Sequence, residues 1–278
     1  MGKAFIWGAG ATGKRVLPLA EEKYEIIGFI DNDPKYHIGG NIKNYKIFSP
    51  DKLKNSDFDV VVIASSCLNE ITKQMLEMGI SKDKIISDFI AVRRNSRIAF
   101  LNSLGKLFSE RLMIGSIAEG GVYQGEFACE MNRVFPDKKF YLFDTFKGFD
   151  NKDVKIEKEK KYSEYGESHL GMTSEELVLS KLPYTANVII RKGYFPETAL
   201  GIDDIFCFVN LDFDLFNPTL SGLEYFYPRM VNNGIILIHD YFSLNYRGVK
   251  EAVCEFQKKN CVLKLFPIGD ENSIGICC

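Results

Sequence analysis

The side chains best suited to chemistry stand at two matched positions between Val209 and Tyr241. An apolar run ending at Leu211 delivers Asp212 and Asp214, and a second, Gly-Ile-Ile-Leu-Ile, delivers His239 and Asp240. A helix-like stretch and an Asn-Gly pair lie between them. Two apolar runs joined this way read as adjacent parallel strands with a crossover helix. The carboxyl ends of such strands form the edge at which α/β proteins bind ligands. Carboxylates converging from two strand ends suit a hard cation, which takes oxygen ligands; the plainer alternative is that they solvate the strand ends.

The elements that must position these groups begin near residue 114. A strand over 114–118 runs into Glu119-Gly120-Gly121-Val122-Tyr123-Gln124-Gly125, a helix follows over 126–135, and a strand over 139–143 ends at Asp144. A carboxylate at the first strand end repels a close pyrophosphate and suits an amine or a cationic centre. Asp144 can accept from a ribose diol. A sugar diol, a ring to stack on and a cationic amino-acid tail are the demands of S-adenosylmethionine. Thr145 and Phe146 open the following turn, where Phe146 either walls the adenosine or packs in the core. Gly193 and Tyr194, after a strand over 188–190, would line the same edge.

The stretch from about 150 to 172 is polar and offers little to bury, which predicts a lid or a disordered insertion. His169 lies at its edge, as a substrate contact or an isolated loop histidine. Thr173 and Glu176 have capping-box spacing before a helix over 174–182. Asn217-Pro218 reads as a helix start. Gly234 closes that helix and a strand follows over 235–238, then a helix over 247–259 and strands over 262–267 and 273–278. Parallel strands closed by an antiparallel hairpin make this half a class I methyltransferase-type α/β sheet.

The first ninety residues carry a second βαβ pattern. A strand over 3–7 leads into Gly8-Ala9-Gly10-Ala11-Thr12-Gly13, a helix over 14–22 and a strand over 24–30 closing on Asp31. This is the order of the dinucleotide fingerprint. Gly8 makes the tight turn, Gly10 lets a pyrophosphate approach, Gly13 lets helix and strand pack, and Asp31 accepts from a ribose. The other reading is a Rossmann-like sheet whose glycines serve only the fold. Residues 39–45 read as loop, 58–64 as a buried strand and 68–78 as a helix. Cys67 has no evident base.

The join, residues 91–116, holds Arg93, Arg94 and Arg97 and then an apolar periodicity from Ile98 to Leu112, an amphipathic helix leading into the second domain. The arginines read as a solvated helix start rather than a phosphate contact. The expected architecture is therefore α/β throughout, with two Rossmann-like domains at 1–90 and 91–278.

The 278 residues suffice for two modest domains, and a formal net charge of -2 with mixed signs argues against nucleic acid. No apolar run reaches membrane-spanning length, and the opening strand leaves no room for a signal peptide, so a cytoplasmic location is expected. Seven scattered cysteines are not a disulfide framework. Surface helices could support a homodimer.

Four segments, Glu119 to Gly125, Asp144 to Gly148, Gly193 to Thr198 and Leu211 to Leu215, occur in the order of the macrocin O-methyltransferase family, which residues 98–278 resemble. The resemblance implies S-adenosylmethionine, a magnesium ion and a sugar hydroxyl as acceptor. It implies cofactor contacts at Glu119, Gly120, Gly121, Tyr123, Gly125, Asp144, Thr145, Phe146, Gly193 and Tyr194. It places metal ligands at Asp212, His239 and Asp240 and a general base at Asp214. His239 stands where the family usually has aspartate; imidazole favours a softer divalent metal than magnesium, and His239 is the second candidate for base. The first domain resembles the small Rossmann-like domains of bacterial surface-sugar enzymes, through Gly8 to Gly13 and Phe29 to Pro34. That implies a nucleotide-sugar or NAD at Gly8, Gly10, Gly13 and Asp31. The expected activity is methylation of a sugar hydroxyl in surface-glycan or natural-product biosynthesis. Two rivals stand beside it: an NAD-dependent nucleotide-sugar oxidoreductase, for which no Tyr-xxx-Lys pair is found, and a non-catalytic nucleotide-sugar-binding protein.

Overall fold

The computed structural model describes the backbone of residues 1–65 and 67–278; the side chains of 90–94, including those of Arg93 and Arg94, lie outside the described set. The chain divides into two compact units, Met1–Asn95 and Ser96–Cys278.

In the first unit, β1 (Gly2–Trp7), α1 (Ala11–Glu21), β2 (Tyr24–Ile30), β3 (Asn41–Ile42), β4 (Tyr45–Phe48), β5 (Val60–Ile63), α2 (Leu68–Glu77) and β6 (Ile85–Ile86) follow in order. The sheet order is β3-β4-β2-β1-β5-β6, parallel except for the β3–β4 hairpin. Both faces are covered, which is why its central strands are apolar without alternation. Ala4 and Ile6 pack with Val16 and Leu17 of α1, while Phe5 and Trp7 pack with Ile71 and Met75 on the α2 side. The hairpin occupies a stretch expected to be loop up to Tyr45. Its strand β4 is held by parallel pairing of Ile47 and Phe48 with β2, a non-local contact that local composition does not report.

Helix α3 (Asp88–Glu110) is longer than its apolar periodicity predicts. Its Leu101, Leu104 and Phe108 are buried in the second unit's core. That unit continues with β7 (Ser116–Gly120), α4 (Glu126–Val134), β8 (Phe140–Asp144), α5 (Asn151–Glu159), α6 (Glu175–Lys181), β9 (Val188–Lys192), β10 (Phe206–Leu211), α7 (Phe216–Phe226), β11 (Met230–Ile238), α8 (Arg247–Lys259), β12 (Lys264–Pro267) and β13 (Ile274–Cys277). The sheet order is β12-β13-β11-β10-β7-β8-β9, with β13 antiparallel to both its neighbours. The chain leaves β7 toward β8 and β9, then returns to its other side as β10. The crevice at such a reversal is where open α/β sheets take ligands. α7 and α8 cover one face through Leu223, Phe226, Val249 and Phe256, and α3, α4 and α6 the other through Leu104, Met131 and Val178.

Four local expectations are corrected. The polar insertion holds α5, and Asp153, Val154 and Glu157 on it are buried. Its charged composition hides two carboxylates that hydrogen-bond to the body: Asp153 accepts from Tyr194 Oη and Asn217 Nδ2, and Glu157 accepts from Phe216 N. Helix α7 therefore starts at Phe216, because its first amide is capped by Glu157 of another helix and Asn217 is spent on Asp153. Helix α6 is capped by Ser174, which accepts from Leu177 N, while Thr173 donates to the Tyr123 carbonyl. The Asn233-Gly234 pair lies inside β11 rather than before it; Asn233 takes a left-handed conformation (φ 63°) in an irregular stretch and donates to Cys278 O. No helix among the described residues is long and apolar enough to cross a membrane.

Candidate active site

The crevice between β7 and β10 gathers the acids singled out in the sequence. Pairing sets Asn210 opposite Glu119, and Asp212 N donates to Gly120 O at 2.7 Å. His239 N donates to Leu211 O at 2.9 Å, which brings the β11 end alongside. One oxygen or nitrogen from each of Asp212, His239 and Asp240 can be chosen so that all lie within 4.8 Å of one another. His239 Nδ1 is 3.0 Å from Asp240 Oδ2 and 3.4 Å from Asp212 Oδ1. Asp214 and Asp240 both take left-handed backbone conformations (φ 63° and 57°), which aspartate adopts more readily than most residues.

The charges are crowded. Burial, followed by the charges of Asp240 and Asp212, raises the Asp214 carboxyl well above the usual range. Against its own burial, Asp240 is drawn well below that range by His239 and by hydrogen bonds from Asp214 and Asn272. His239 is raised: burial and Arg97 oppose its charge, but Asp212 and Asp240 outweigh them. Glu119, 1% exposed, is raised well above the usual range by burial and then by Asp212, with Arg97 and Asn210 opposing.

The glycine turn is shaped by contact. Gly121 (φ 81°) lies where a Cβ would come within 2.0 Å of Asp212 O. A Cβ on Gly120 would come within 2.2 Å of the Phe213 ring, and Gly125 (φ 82°) precedes α4. Asp144 accepts from Val122 N (2.7 Å) and Tyr123 N (2.9 Å) through one oxygen and from Phe146 N (2.7 Å) through the other. It therefore knits the turn together, and further contact with a diol would use its remaining lone pairs. Burial raises its pKa, opposed by these amides. Thr145 Oγ1 donates to Gly148 O, and Gly193 N donates to Asp144 O. Phe146 is a core residue, and Tyr194 is tied to Asp153.

Three participants were missed in the sequence. Arg97, read as solvated, donates through Nη2 to Asn210 Oδ1 (2.8 Å) and Asp212 Oδ2 (3.1 Å), with its guanidinium 3.8 Å from the Phe127 ring centroid. Asn210 is fully buried and donates to Glu119 Oε1 at 2.9 Å. Asn272 donates to Asp240 Oδ1 at 2.9 Å from a turn built on buried Asp270. An uncompensated polar residue inside an apolar strand was the available signal for Asn210. Nothing local marked the other two.

On the insertion, His169 stacks on Tyr165 (centroids 3.9 Å apart) and is 2.8 Å from Tyr246 Oη through Nε2; burial lowers its pKa. A cavity of about 400 Å³ beside it is lined by Lys147, Phe149, Asp150, Asn151, Glu167 and Ser168. In the first unit, Asp31 accepts from Ala9 N at 2.7 Å and from Asp33 N at 2.9 Å. A Cβ on Gly13 would come within 1.9 Å of Gly8 O, whereas one on Gly10 would meet nothing within 4 Å. Cys67 is exposed.

The sheet order is that of the class I methyltransferase fold, and solved structures agree. The solved structure of the O-methyltransferase NovP aligns with TM-score 0.53 at 20% identity, over 66% of this chain and 79% of that one. The calicheamicin methyltransferase CalS11 aligns with TM-score 0.53 at 17% identity, over 77% and 86%. At these identities the likeness establishes the fold. Residues 91–270 match the family described as Macrocin-O-methyltransferase (TylF), and residues 1–86 match one described as C2185-like, N-terminal. The first match spans more than half of the chain, which therefore belongs to the macrocin O-methyltransferase family and is an S-adenosylmethionine-dependent methyltransferase. A comparison with curated proteins gave no match.

The crevice fits that cofactor. Glu119 Oε2 is buried without a hydrogen-bond partner, a position an ammonium group would satisfy. The donor set at Asp212, His239 and Asp240 fits a divalent cation, whose charge would relieve the repulsion among Asp212, Asp214 and Asp240. Two carboxylates and an imidazole favour manganese, iron, cobalt or zinc over magnesium.

Proposed function

We propose that the second unit methylates a hydroxyl group of a sugar or nucleotide-sugar, assisted by a divalent cation at Asp212, His239 and Asp240, in the biosynthesis of a surface glycan or natural product. The observation that carries this reading is the convergence of those three side chains beside the Glu119-Gly120-Gly121 turn. Family membership supports the acceptor class.

When bound, S-adenosylmethionine supplies an electrophilic methyl group on a sulfonium centre, and the cation supplies positive charge beside the acceptor oxygen. The chain's own groups do the rest. Glu119 takes the ammonium end. Asp144 fixes the amides of Val122, Tyr123 and Phe146 and faces the ribose. Asp214, buried next to Asp240, would serve as general base for the acceptor hydroxyl once it is ionised, a form that the charge of a bound cation would favour against the neighbouring carboxylates, with His239 as the second candidate. The insertion closes over the acceptor and excludes water, with Phe149 and the polar lining of the adjacent cavity available to a sugar. Orientation of the acceptor oxygen is the largest contribution expected from the protein.

For the first unit we propose nucleotide-sugar or dinucleotide binding at Gly8, Gly10, Gly13 and Asp31. The open space at Gly10, beside close packing at Gly8 and Gly13, supports it. Calorimetric titration of the whole chain with nucleotide-sugars and NAD tests this; no heat with either removes it. The metal reading is tested by titrating manganese and magnesium into the wild type and Asp240→Ala. Binding to the wild type with manganese preferred, and its loss in the variant, is expected. Equal behaviour of the two proteins removes it.

A further inference from the structure

Two buried polar atoms at the crevice carry no partner: Glu119 Oε2 and Arg97 Nε. They belong to opposite charges and to one network. The side-chain amide of Asn210 joins them, donating to Glu119 Oε1 and accepting from Arg97 Nη2. A buried donor atom and a buried acceptor atom left without partners cost free energy unless a ligand satisfies them. Here the two orphans lie on either side of a single amide, at the carboxyl end of β7 and β10.

We propose that Arg97 is a cofactor-binding residue that receives the carboxylate of the amino-acid moiety of S-adenosylmethionine, while Glu119 receives the ammonium. This rests on the cofactor reading of the crevice and adds a residue to it. A zwitterion carries its two charges on one carbon, so it needs a cation and an anion side by side. The remaining titratable groups named at the crevice, Asp144, Asp212, Asp214 and Asp240, are acids that repel a carboxylate. His239 already faces Asp212 and Asp240. Arg97 supplies a permanent positive charge, and its position is fixed before binding. Asn210 and Asp212 hold one nitrogen, and the Phe127 ring lies against the guanidinium plane. A pre-positioned planar donor recognises a carboxylate with little loss of side-chain entropy.

The test compares S-adenosylmethionine with its decarboxylated analogue, which keeps the ammonium and lacks only the carboxylate, by calorimetric titration. The wild type is expected to prefer S-adenosylmethionine by about 10- to 100-fold, the range for a hydrogen bond to a charged group. Arg97→Gln should lose most of that preference through weaker binding of S-adenosylmethionine, with affinity for the analogue unchanged. Unchanged affinity for S-adenosylmethionine, or equal weakening of both ligands, overturns the proposal; the latter marks a structural role through Asp212. Should Arg97→Gln not fold, Arg97→Lys keeps the charge and is read the same way: selective weakening supports the proposal, and no change or equal weakening overturns it. No acceptor or metal is needed, so failure of the sugar-methylation reading leaves this result interpretable.

Discussion

Glu157 gives the account a quantitative handle on the insertion. Its side chain is buried, accepts from the first amide of α7, and has its other oxygen without a partner. Burial raises its pKa from 4.5 to about 7, with the Phe216 amide opposing. The sign follows from linkage. When α5 is undocked the carboxyl has its ordinary value, so between 4.5 and about 7 the docked state binds more protons. Docking is therefore most stable at low pH, weakens as pH rises through that window, and levels off above it. A rise of this size corresponds to about 3 kcal/mol, or about 300-fold in the opening equilibrium. Asp153, also raised by burial, contributes in the same direction. Glu157→Gln keeps an acceptor for Phe216 N and removes the titration. Hydrogen exchange of peptides covering 150–160, corrected for intrinsic rates, reads the opening. Between about pH 5 and about pH 8 the wild type should lose about 2–3 kcal/mol of protection in α5, and Glu157→Gln should lose markedly less. Parallel pH profiles for the two proteins would refute the reasoning.

Other substitutions separate the parts of the site and the fold. Asp214→Asn should lower kcat by about 10²- to 10⁴-fold while leaving the affinity for S-adenosylhomocysteine unchanged, measured by steady-state kinetics and calorimetry. Asn272→Ala should weaken manganese binding by about 10-fold, as loss of a hydrogen bond that orients a ligand does; unaltered affinity would show that Asp240 is held without it. Gly13→Ala should destabilise the first unit by about 1–3 kcal/mol or more, because its Cβ meets a backbone carbonyl. Denaturation followed by fluorescence of Trp7, the chain's single tryptophan and buried in that unit, reads this. Gly10→Ala should leave the same transition unmoved.

The topology of the second unit and the placing of its strand-end acids were legible because they are written in short local signals. Apolar runs end in Asp144, Asp212 and Asp240, and glycines stand where a Cβ would strike another strand's backbone, as Gly121 would strike Asp212 O. What stayed hidden depends on pairs distant in sequence. Asp153 and Glu157 look like solvated charges until Asn217, Tyr194 and Phe216 are seen to meet them. Arg97 lies in a basic, polar stretch and becomes a site residue only because the fold brings it to Asn210 and Asp212. Thr173 and Glu176 had the capping spacing, but Ser174 took the cap once Thr173 was drawn to Tyr123. In each case a tertiary partner outcompeted the local pattern.

The central claim is metal-assisted transfer of a methyl group to a sugar hydroxyl. The most direct measurement incubates the purified chain with isotopically methyl-labelled S-adenosylmethionine and a panel of sugars and nucleotide-sugars. Label is followed into product by mass spectrometry, after chelation and after manganese is restored. The account predicts label on a sugar oxygen, lost on chelation, recovered with manganese and absent in Asp240→Ala. Label on carbon or nitrogen, or full transfer to oxygen in the chelated enzyme and in the variant, would contradict it.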